Sequence, residues 1–311
     1  MERGRDPPRR TEAATSAELG VLPAGARTRF APAPTGYLHL GHVANAVAVW
    51  GVARAAGGRI LLRIEDHDRV RSRPEFELAI LEDLDWLGFV ADEGPIRQSD
   101  DDAAYAAALD RLRGETLVYG CACTRATFDV WAHEHGRPWH GPGCPGDCRH
   151  RGLDGPVLRA ALGGGAERWM DALIGPCADD VVAGAGDLPV RDRDGNWTYG
   201  FAVVVDDLRQ RIDLVVRGRD LLPATPAQIR LARLLDRDAP ATFAHHRLIR
   251  RRDGSKLSKA DRDTSVRELR AAGRSAAELI GEAAAAVGFV DAPRPIEAAD
   301  VAELFAVSRN P

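Results

Sequence analysis

The 311-residue sequence has no long apolar run and little net charge, and each absence restricts what the protein can be. No stretch of about 18 consecutive apolar residues occurs, which argues against a membrane-spanning helix. Residues 1–27 contain no apolar secretory signal, so we expect a cytoplasmic protein in which these residues form a flexible tail. The formal net charge is only -4, so a nucleic-acid partner would have to bind a local basic patch. Residues 245–252 form one such patch, and residues 149–151 form a weaker one.

Cysteine is scarce, but its distribution is uneven. Of the five cysteines, four lie between residues 121 and 148. Because the sequence has no export signal, this clustering favours metal binding over disulfides. Four thiolates suffice for a closed tetrahedral zinc site, although the spacings C-x-C and C-x3-C are less regular than the common C-x2-C. Loss of the metal or a redox role is the alternative. The expected ligands are Cys121, Cys123, Cys144 and Cys148, and the rival ligands are His133, His135 and His140.

Strand and helix patterns alternate in the first third of the sequence. A short strand at residues 28–31 leads through a Pro- and Gly-rich loop into a helix from about His42 to Ala56. Arg59–Ile64 has the compact apolar composition of a central parallel strand. The next helix has an apolar face at helical spacing. This order predicts an α/β fold with a doubly wound parallel sheet of the Rossmann type. The apolar face consists of Phe76, Ile80, Leu84 and Leu87.

The rest of the chain divides by composition. Residues 28–114 form the first half of the predicted sheet domain, and residues 115–189, rich in Gly, Pro, Cys and His, are predicted to be an insertion that carries the zinc site. Residues 190–240 form the second half, with strands expected at Thr198–Val205 and Ile212–Val216 because both are rich in valine. Residues 241–311 contain a basic loop and a short helical region, with helices expected at Ala276–Ala286 and Ala298–Phe305.

A histidine motif, His39-Leu40-Gly41-His42, lies where the first loop enters the first helix. Ligands of open α/β sheets bind at the carboxyl ends of the strands, and helix N-termini attract phosphate. The two imidazoles could therefore hydrogen-bond a nucleotide triphosphate, and Gly41 would let the backbone approach it closely. The alternative is a histidine-rich loop with one helix cap.

A lysine motif, Lys256-Leu257-Ser258-Lys259, follows a turn-forming stretch near the C-terminus. Two lysines on such a loop could neutralise a departing pyrophosphate, because phosphoryl chemistry depends mostly on positioning and charge. A solvated basic loop is the alternative for this motif taken alone.

The two motifs together resemble the HIGH and KMSKS signatures of class I aminoacyl-tRNA synthetases. Four further segments resemble the glutamyl-tRNA synthetases in particular, and they occur in the order found in that family. They are residues 29–39, 63–69, 199–207 and 216–222.

The resemblance implies that ATP, with Mg²⁺, activates L-glutamate. Glutamate carries two carboxylates and one ammonium, so its site needs cationic or donor partners and one anion. The sequence does not decide which arginine binds which carboxylate, and Ala33 stands where the family commonly has serine. The implied glutamate-binding residues are Arg29, Ala33, Glu65, Tyr199 and Arg217. The implied catalytic residues are His39, His42, Lys256 and Lys259, and Gly41 and Ser258 complete the ATP site.

The residues after the lysine motif are too few for an anticodon-binding domain, which needs on the order of 100 residues. The chain therefore resembles the short, tRNA-modifying relatives of glutamyl-tRNA synthetase, which hold zinc in the insertion. Their resemblance implies that glutamate is attached to queuosine in the anticodon loop of tRNA(Asp), with the anticodon stem-loop as partner, and we expect a monomer. The alternatives are a truncated ligase with another acceptor and a non-catalytic tRNA-binding module.

Overall fold

The computed structural model describes most of the chain. The described residues are 17–20, 22–136, 143–145, 147–150, 152, 154–182, 186–249 and 264–307. Three predicted site residues, Lys256, Ser258 and Lys259, lie outside these ranges, as does the rival ligand His140.

The described residues form strands, α-helices and three 3-10 helices. The strands are β1 (Ala17–Leu19), β2 (Arg27–Phe30), β3 (Arg59–Ile64), β4 (Glu93–Arg97), β5 (Val118–Cys121), β6 (Val157–Ala160), β7 (Ala166–Asp171), β8 (Gly175–Asp180), β9 (Leu188–Arg191), β10 (Leu214–Gly218), β11 (Thr242–His246) and β12 (Phe305–Val307). The α-helices are α1 (Leu40–Ala55), α2 (Pro74–Leu87), α3 (Asp102–Glu115), α4 (Arg125–His135), α5 (Asp147–His150), α6 (Tyr199–Arg209), α7 (Thr225–Leu234), α8 (Val266–Ala271) and α9 (Ala276–Ala286). The 3-10 helices are Gln98–Asp100, Arg219–Ala224 and Ala298–Leu304.

The central sheet is parallel, as the sequence predicts. Strand β3 lies between β2 and β4, and β11 lies between β10 and β7, with all four pairings parallel. The two groups meet at β2 and β10, where the Asp213 amide donates to the Arg27 carbonyl oxygen at 3.1 Å. The resulting order β4-β3-β2-β10-β11 places the first strand of each half side by side, as in a Rossmann-type sheet. Ligands of such sheets bind at the carboxyl ends of these two adjacent strands.

Helix α1 fills the space over the junction of the two halves. Residues on every side of it are buried, which is typical of a central helix that is covered by other elements. Helix α9 and the 3-10 helix at residues 298–304 pack against it. A Cβ on Gly51 would lie 2.2 Å from the Phe305 ring, so only glycine permits this close approach. The C-terminal region thereby holds α1, and the loop before it, against the sheet.

Most of the helix and strand predictions agree with the structure. Strand β3 has the predicted bounds, and α1 begins two residues before the predicted start. Helix α2 buries Ile80, Leu84 and Leu87 of the predicted face and half-buries Phe76. Helix α9 matches Ala276–Ala286, and β10 overlaps the predicted strand at Ile212–Val216. Within the described part of the chain, no helix is both long and apolar enough to cross a membrane.

The strand predicted at Thr198–Val205 is wrong, because these residues belong to helix α6. Phe201 to Val205 are all buried, since α3, α7 and β9 cover the helix on several sides. A helix that is buried all round needs no polar face, so its sequence has the valine-rich composition of a strand. Tertiary packing overrides the local preference here.

Two predicted boundaries also need correction. Within the range assigned to the tail, Ala17–Leu19 forms β1, which pairs in parallel with β12, and Leu19 is buried. Within the range assigned to the insertion, β7 joins the central sheet through a parallel pairing of Asp171 with Phe243. The helix expected at Ala298–Phe305 is a 3-10 helix that ends at Leu304.

The cysteine-bearing segment has its own small sheet. Strand β6 pairs antiparallel with β5 and β9, and helices α4 and α5 lie between β5 and β6 in the chain. Cys144 forms an isolated bridge with Asp187, whose amide donates to the Cys144 carbonyl at 2.8 Å. The loop that carries Cys144 is thereby fixed beside the sheet.

Candidate active site

A cavity of about 500 Å³ opens at the carboxyl ends of β2 and β10. This is the position at which the sheet order predicts a ligand. Every predicted site residue that the structure describes, apart from the cysteines, lines this cavity. They are Arg29, Ala33, His39, Gly41, His42, Glu65, Tyr199 and Arg217.

The histidine motif forms the N-terminus of α1 and is tightly organised. His39 caps the helix, and its Nδ1 accepts from the Gly41 amide at 3.1 Å. In return, the His39 amide donates to Nδ1 of His42 at 3.1 Å, and the ring centroids lie 4.0 Å apart. A Cβ on Gly41 would lie 2.9 Å from Cε1 of His39, so glycine is needed to keep this ring in place. Both imidazoles therefore stand at the positive end of a helix, where phosphate binds favourably.

The segment that contains the lysine motif begins and ends at this cavity. Leu248 and Ile249, just before it, line the cavity wall. After it, Ser265 forms an isolated bridge with His39, and the Val266 amide donates to the Leu38 carbonyl at 2.8 Å. The described residues that follow the lysine motif, Ser265 and Val266, are thus joined through backbone contacts to the histidine motif and to the residue before it.

Four charged side chains form a buried row along one wall. Asp207 Oδ1 accepts from Arg29 Nε at 3.0 Å and from Arg63 Nη2 at 2.8 Å. Nη2 of Arg63 also lies 3.6 Å from Glu65 Oε1, and its Nη1 donates to Gln210 at 2.8 Å. Positive and negative charges therefore alternate as Arg29, Asp207, Arg63 and Glu65.

The two carboxylates in this row differ in their pKa. Burial raises the pKa of Glu65 above its usual value, although Arg63 and Arg29 partly offset that rise. Burial also opposes ionisation of Asp207, but the charges of Arg29 and Arg63 outweigh it and hold that pKa below its usual value. Asp207 is therefore a fixed anion that anchors the arginines, whereas Glu65 gains from a cation placed in the cavity.

Arg217 is anchored on the opposite wall, at the end of β10. Its Nη1 donates to Gln228 Oε1 at 2.6 Å, and its Nη2 donates to Thr225 Oγ1 at 2.8 Å. Tyr199 lines the same cavity. Burial raises the pKa of Tyr199, so this hydroxyl stays protonated at neutral pH. The wall thus presents donors on a rigid support.

Several polar residues of the site were not singled out in the sequence. Asp207 binds Arg29 and Arg63, and Gln210 binds Arg63, with Asp207 and Gln210 behind the cavity wall. His246 lines the cavity itself and contacts Asn45 at 3.0 Å. The sequence gives one indication of Asp207: two aspartates, Asp206 and Asp207, directly follow an apolar run. A carboxylate in such a buried position needs a buried partner.

The basic patch predicted at residues 245–252 is mostly not a surface patch in the described part. His245 and His246 are buried in β11, where both rings have polar partners inside the protein. Arg247 is exposed, and residues 250–252 lie outside the described ranges. In the weaker patch, Arg149 pairs with Asp187 at 3.5 Å.

The four clustered cysteines converge on one point. Their sulfur atoms all lie within 4.8 Å of one another, and all four residues are buried. The sulfur–sulfur distances include 3.7 Å between Cys121 and Cys148, 3.6 Å between Cys123 and Cys144, and 3.3 Å between Cys123 and Cys148. Sulfurs at Zn–S distances of about 2.3 Å in a tetrahedron would be about 3.8 Å apart. This group could hold a metal ion.

The rival histidines that the structure describes do not join this cluster. His135 stacks on Trp131 with a centroid distance of 4.0 Å, and its Nδ1 lies 2.8 Å from the Trp131 carbonyl oxygen. Burial and the neighbouring thiols raise the pKa of Cys123 to about 12. A divalent cation bound by these sulfurs would favour their thiolate form, because it offsets the cost of several negative charges in a buried cluster.

The sequence matches the family model of class I tRNA synthetases (E and Q), catalytic domain, over residues 26–142 and 147–284. It is 41% identical over 302 residues to a glutamyl-Q tRNA(Asp) synthetase of Symbiobacterium thermophilum, covering 91% of this chain and 93% of that protein. It is 40% identical over 260 residues to a glutamate–tRNA ligase of a Synechococcus species, covering 79% of this chain and 54% of the ligase.

A solved structure gives the same relationship. The crystal structure of glutamate-tRNA synthetase from Elizabethkingia anophelis superposes with a TM-score of 0.64 at 30% identity, covering 76% of this chain. The chain spans about half, 53%, of the length of that synthetase. The chain therefore belongs to the class I tRNA synthetase family (E and Q), and within it is similar over nearly its whole length to glutamyl-Q tRNA(Asp) synthetases.

Proposed function

We propose that this protein activates L-glutamate with ATP and transfers the glutamyl group to the queuosine base in the anticodon loop of tRNA(Asp). The main observation in support is that one cavity is lined by Arg29, Glu65 and Arg217 together with His39 and His42. This set supplies cations for carboxylates, an anion for an ammonium and a helix N-terminus for phosphate. The similarity to glutamyl-Q tRNA(Asp) synthetases supports the choice of acceptor.

The glutamate would lie between the two arginine-bearing walls. Among the described residues, Nη2 of Arg29 has no hydrogen-bond partner, so this group is free to bind a carboxylate. Glu65 would take the ammonium, because a cation there offsets the cost of its burial. Tyr199 would donate its hydroxyl proton. Ala33 lines the same cavity but has no hydroxyl, so its side chain can contribute only van der Waals contact.

ATP would lie with its phosphates at the N-terminus of α1, bound as its Mg²⁺ complex. Gly41 lets the backbone amides approach the phosphates, and His39 and His42 donate to their oxygens. Lys256, Ser258 and Lys259 would complete this site, since the described residues before them line the cavity and Ser265 after them pairs with His39.

The reaction has two steps. A glutamate carboxylate, ionised at neutral pH, attacks the α-phosphorus of ATP, so no general base is needed and pyrophosphate leaves. A hydroxyl of the queuosine cyclopentene ring then attacks the carbonyl of the glutamyl-adenylate, which releases AMP and a proton. His39, His42 and the lysines stabilise the charge that develops on the phosphates.

The four cysteines would hold a structural zinc ion. A site with four thiolate ligands is closed and leaves no position for water, so its role is to fix the segment between β5 and β6. That role fits a segment in which the loop of Cys144 is joined to Asp187. Elemental analysis of the purified protein should find one zinc per chain. We also predict a monomer and a cytoplasmic location.

The activation step is tested by ATP–pyrophosphate exchange with pure, zinc-loaded protein. We expect exchange that depends on glutamate and occurs without added tRNA. Lys259→Ala should slow it by about 100- to 1000-fold, because a positioned charge at the leaving group is lost. No exchange in the wild type would refute activation and favour a non-catalytic tRNA-binding module. Near-normal exchange in Lys259→Ala would remove the lysine motif from the mechanism.

The acceptor is tested separately by mass spectrometry of nucleosides from tRNA(Asp) after incubation with glutamate and ATP. We expect the queuosine nucleoside to gain one glutamyl group. Transcribed tRNA(Asp) that lacks queuosine is the matched control and should stay unmodified. Glutamylation of the control tRNA would indicate a truncated ligase with another acceptor.

A further inference from the structure

A buried polar chain lies behind Arg217 and is not used by the reaction above. It consists of Asp171, the last residue of β7, and His245 in β11. Both side chains are 0% exposed. His245 Nδ1 lies 2.5 Å from Asp171 Oδ2, and Arg217 Nε lies 2.9 Å from His245 Nε2. Burial of polar side chains destabilises the folded state unless they are hydrogen-bonded. A buried polar chain that is paired in this way can serve to fix the residue at its end.

The protonation pattern of the chain follows from its donors. A guanidinium has only N–H donors, so His245 Nε2 must accept from Arg217 with its lone pair. The ring proton is then on Nδ1, where it donates to Asp171. The imidazole is therefore neutral, and burial together with the charge of Arg217 lowers its pKa, although Asp171 acts in the opposite sense.

Asp171 is held rigidly at the far end. Its Oδ1 accepts from the amides of Leu173 at 3.0 Å and Ile174 at 3.1 Å, and the His245 amide lies 3.3 Å from both oxygens. A carboxylate that accepts several backbone amides cannot rotate without losing them. The orientation of the imidazole is therefore fixed by the backbone of the turn between β7 and β8 and by the backbone of β11.

At the other end of the chain, Arg217 binds His245 and lines the cavity. Its Nη1 donates to Gln228 Oε1 at 2.6 Å, and its Nη2 donates to Thr225 Oγ1 at 2.8 Å and to the Leu221 carbonyl oxygen at 3.4 Å. Each Nη atom carries two hydrogens, so Nη1 has a second N–H that these bonds do not use. The donations from Arg217 to His245 and from His245 to Asp171 both run away from the cavity.

We propose that Asp171 and His245 are positioning residues, which fix Arg217 so that it presents a hydrogen-bond donor to a carboxylate of bound glutamate. This inference rests on the proposed function, since it concerns the same amino-acid site. If His245 could reorient, Arg217 would lose one of the bonds that hold the plane of its guanidinium. The expected consequence is weaker glutamate binding with little change in ATP binding, because the histidine motif lies on another element.

Two substitutions of His245 separate its two bonds. In His245→Gln, Oε1 can take the place of Nε2 and accept from Arg217, whereas in His245→Asn, Nδ2 keeps the bond to Asp171 and the bond to Arg217 is lost. We expect His245→Asn to raise the KM for glutamate in the exchange assay by about 10- to 100-fold, and His245→Gln by less than about 10-fold. The KM for ATP should change less than about twofold in both. Glutamate binding measured by calorimetry should follow the same order.

Glu167→Gln is the matched control, because Glu167 lies on the same strand as Asp171 and is buried. It accepts from Arg230 at 2.7 Å and from Arg233 at 3.1 Å, away from Arg217. It should lower the melting temperature without changing the KM for glutamate. Equal effects of the two His245 substitutions, or equal changes in the KM for glutamate and for ATP, would overturn the proposal. Absence of exchange in the wild type would instead contradict the proposed function.

Discussion

Asp207→Asn tests whether the buried charge row holds the site together. Asp207 is the anion between Arg29 and Arg63, which lie 3.0 and 2.8 Å from the same oxygen. The substitution keeps the shape of the side chain and one acceptor but removes the charge. Arg63 is 0% exposed, and among the described residues its remaining ion pair would then be the longer one with Glu65, at 3.6 Å. Breaking a buried ion pair by removing one partner costs about 3 to 5 kcal/mol.

This cost should be visible in a thermal unfolding experiment. For a chain of this size, 1 kcal/mol shifts the melting temperature by about 2 to 4 °C, so we expect a drop of about 6 to 20 °C. The matched control is Asp110→Asn, which removes an exposed pair with Arg113 at 2.9 Å and should cost about 1 kcal/mol or less. If the two variants melt at the same temperature, the buried row contributes no more than a surface pair and the reasoning fails.

The pH dependence gives an independent check on the same residue. The folded-state pKa of Asp207 is below its usual value, so its contribution to stability is fully present above the unfolded pKa of about 3.9 and is lost as pH falls through the folded pKa. The difference in melting temperature between wild type and Asp207→Asn should therefore be constant from pH 7 to 5 and narrow below about pH 4. A difference that narrows already between pH 7 and 5 would assign the effect to another group.

Three further substitutions test other parts of the site. Glu65→Gln should raise the KM for glutamate by about 10- to 100-fold. In the wild type this KM should rise as pH falls through the elevated pKa of Glu65, and the rise should be absent in Glu65→Gln. A wild-type KM that is independent of pH would contradict this role. Cys148→Ser should reduce bound zinc below one per chain and lower the melting temperature, whereas Cys177→Ser, outside the cluster, should do neither. Gly41→Ala should impair exchange through displacement of His39 while calorimetric glutamate binding stays unchanged, and normal exchange would show that the ring can shift without loss.

The sequence predicts the parts of the fold that have a distinct local pattern. Strand β3 is a short apolar run between a Gly-Gly turn and charged residues, and α2 has an apolar face at helical spacing, so each has only one reasonable interpretation. Helix α6 has no such pattern, because its neighbours cover several of its sides. The error at Thr198–Val205 therefore comes from information that lies in α3, α7 and β9, not in the segment itself.

Strand pairing is also beyond a local pattern. Ala17–Leu19 becomes a strand only because β12, from the other end of the chain, lies beside it. Strand β7 has the alternating burial of a surface hairpin, and nothing in its sequence shows that Asp171 pairs with Phe243 in the central sheet. Both pairings join residues that are far apart in sequence, so composition and spacing could not reveal them.

The candidate site likewise contains residues that sequence motifs identify and residues whose role depends on tertiary packing. Side chains such as Arg29 and Glu65 could be predicted because they belong to recognisable segments of the sequence, and the structure places both in the lining of one cavity. The residues that hold them, Asp207 above all, face other side chains, and their identity depends on which buried charge must be neutralised. A site for a small, highly charged amino acid needs fixed charges, and fixed charges in a protein interior need buried partners. Under the proposed function, glutamate binding therefore depends on Asp207 as much as on Arg29, although the bonds of Asp207 are to Arg29 and Arg63.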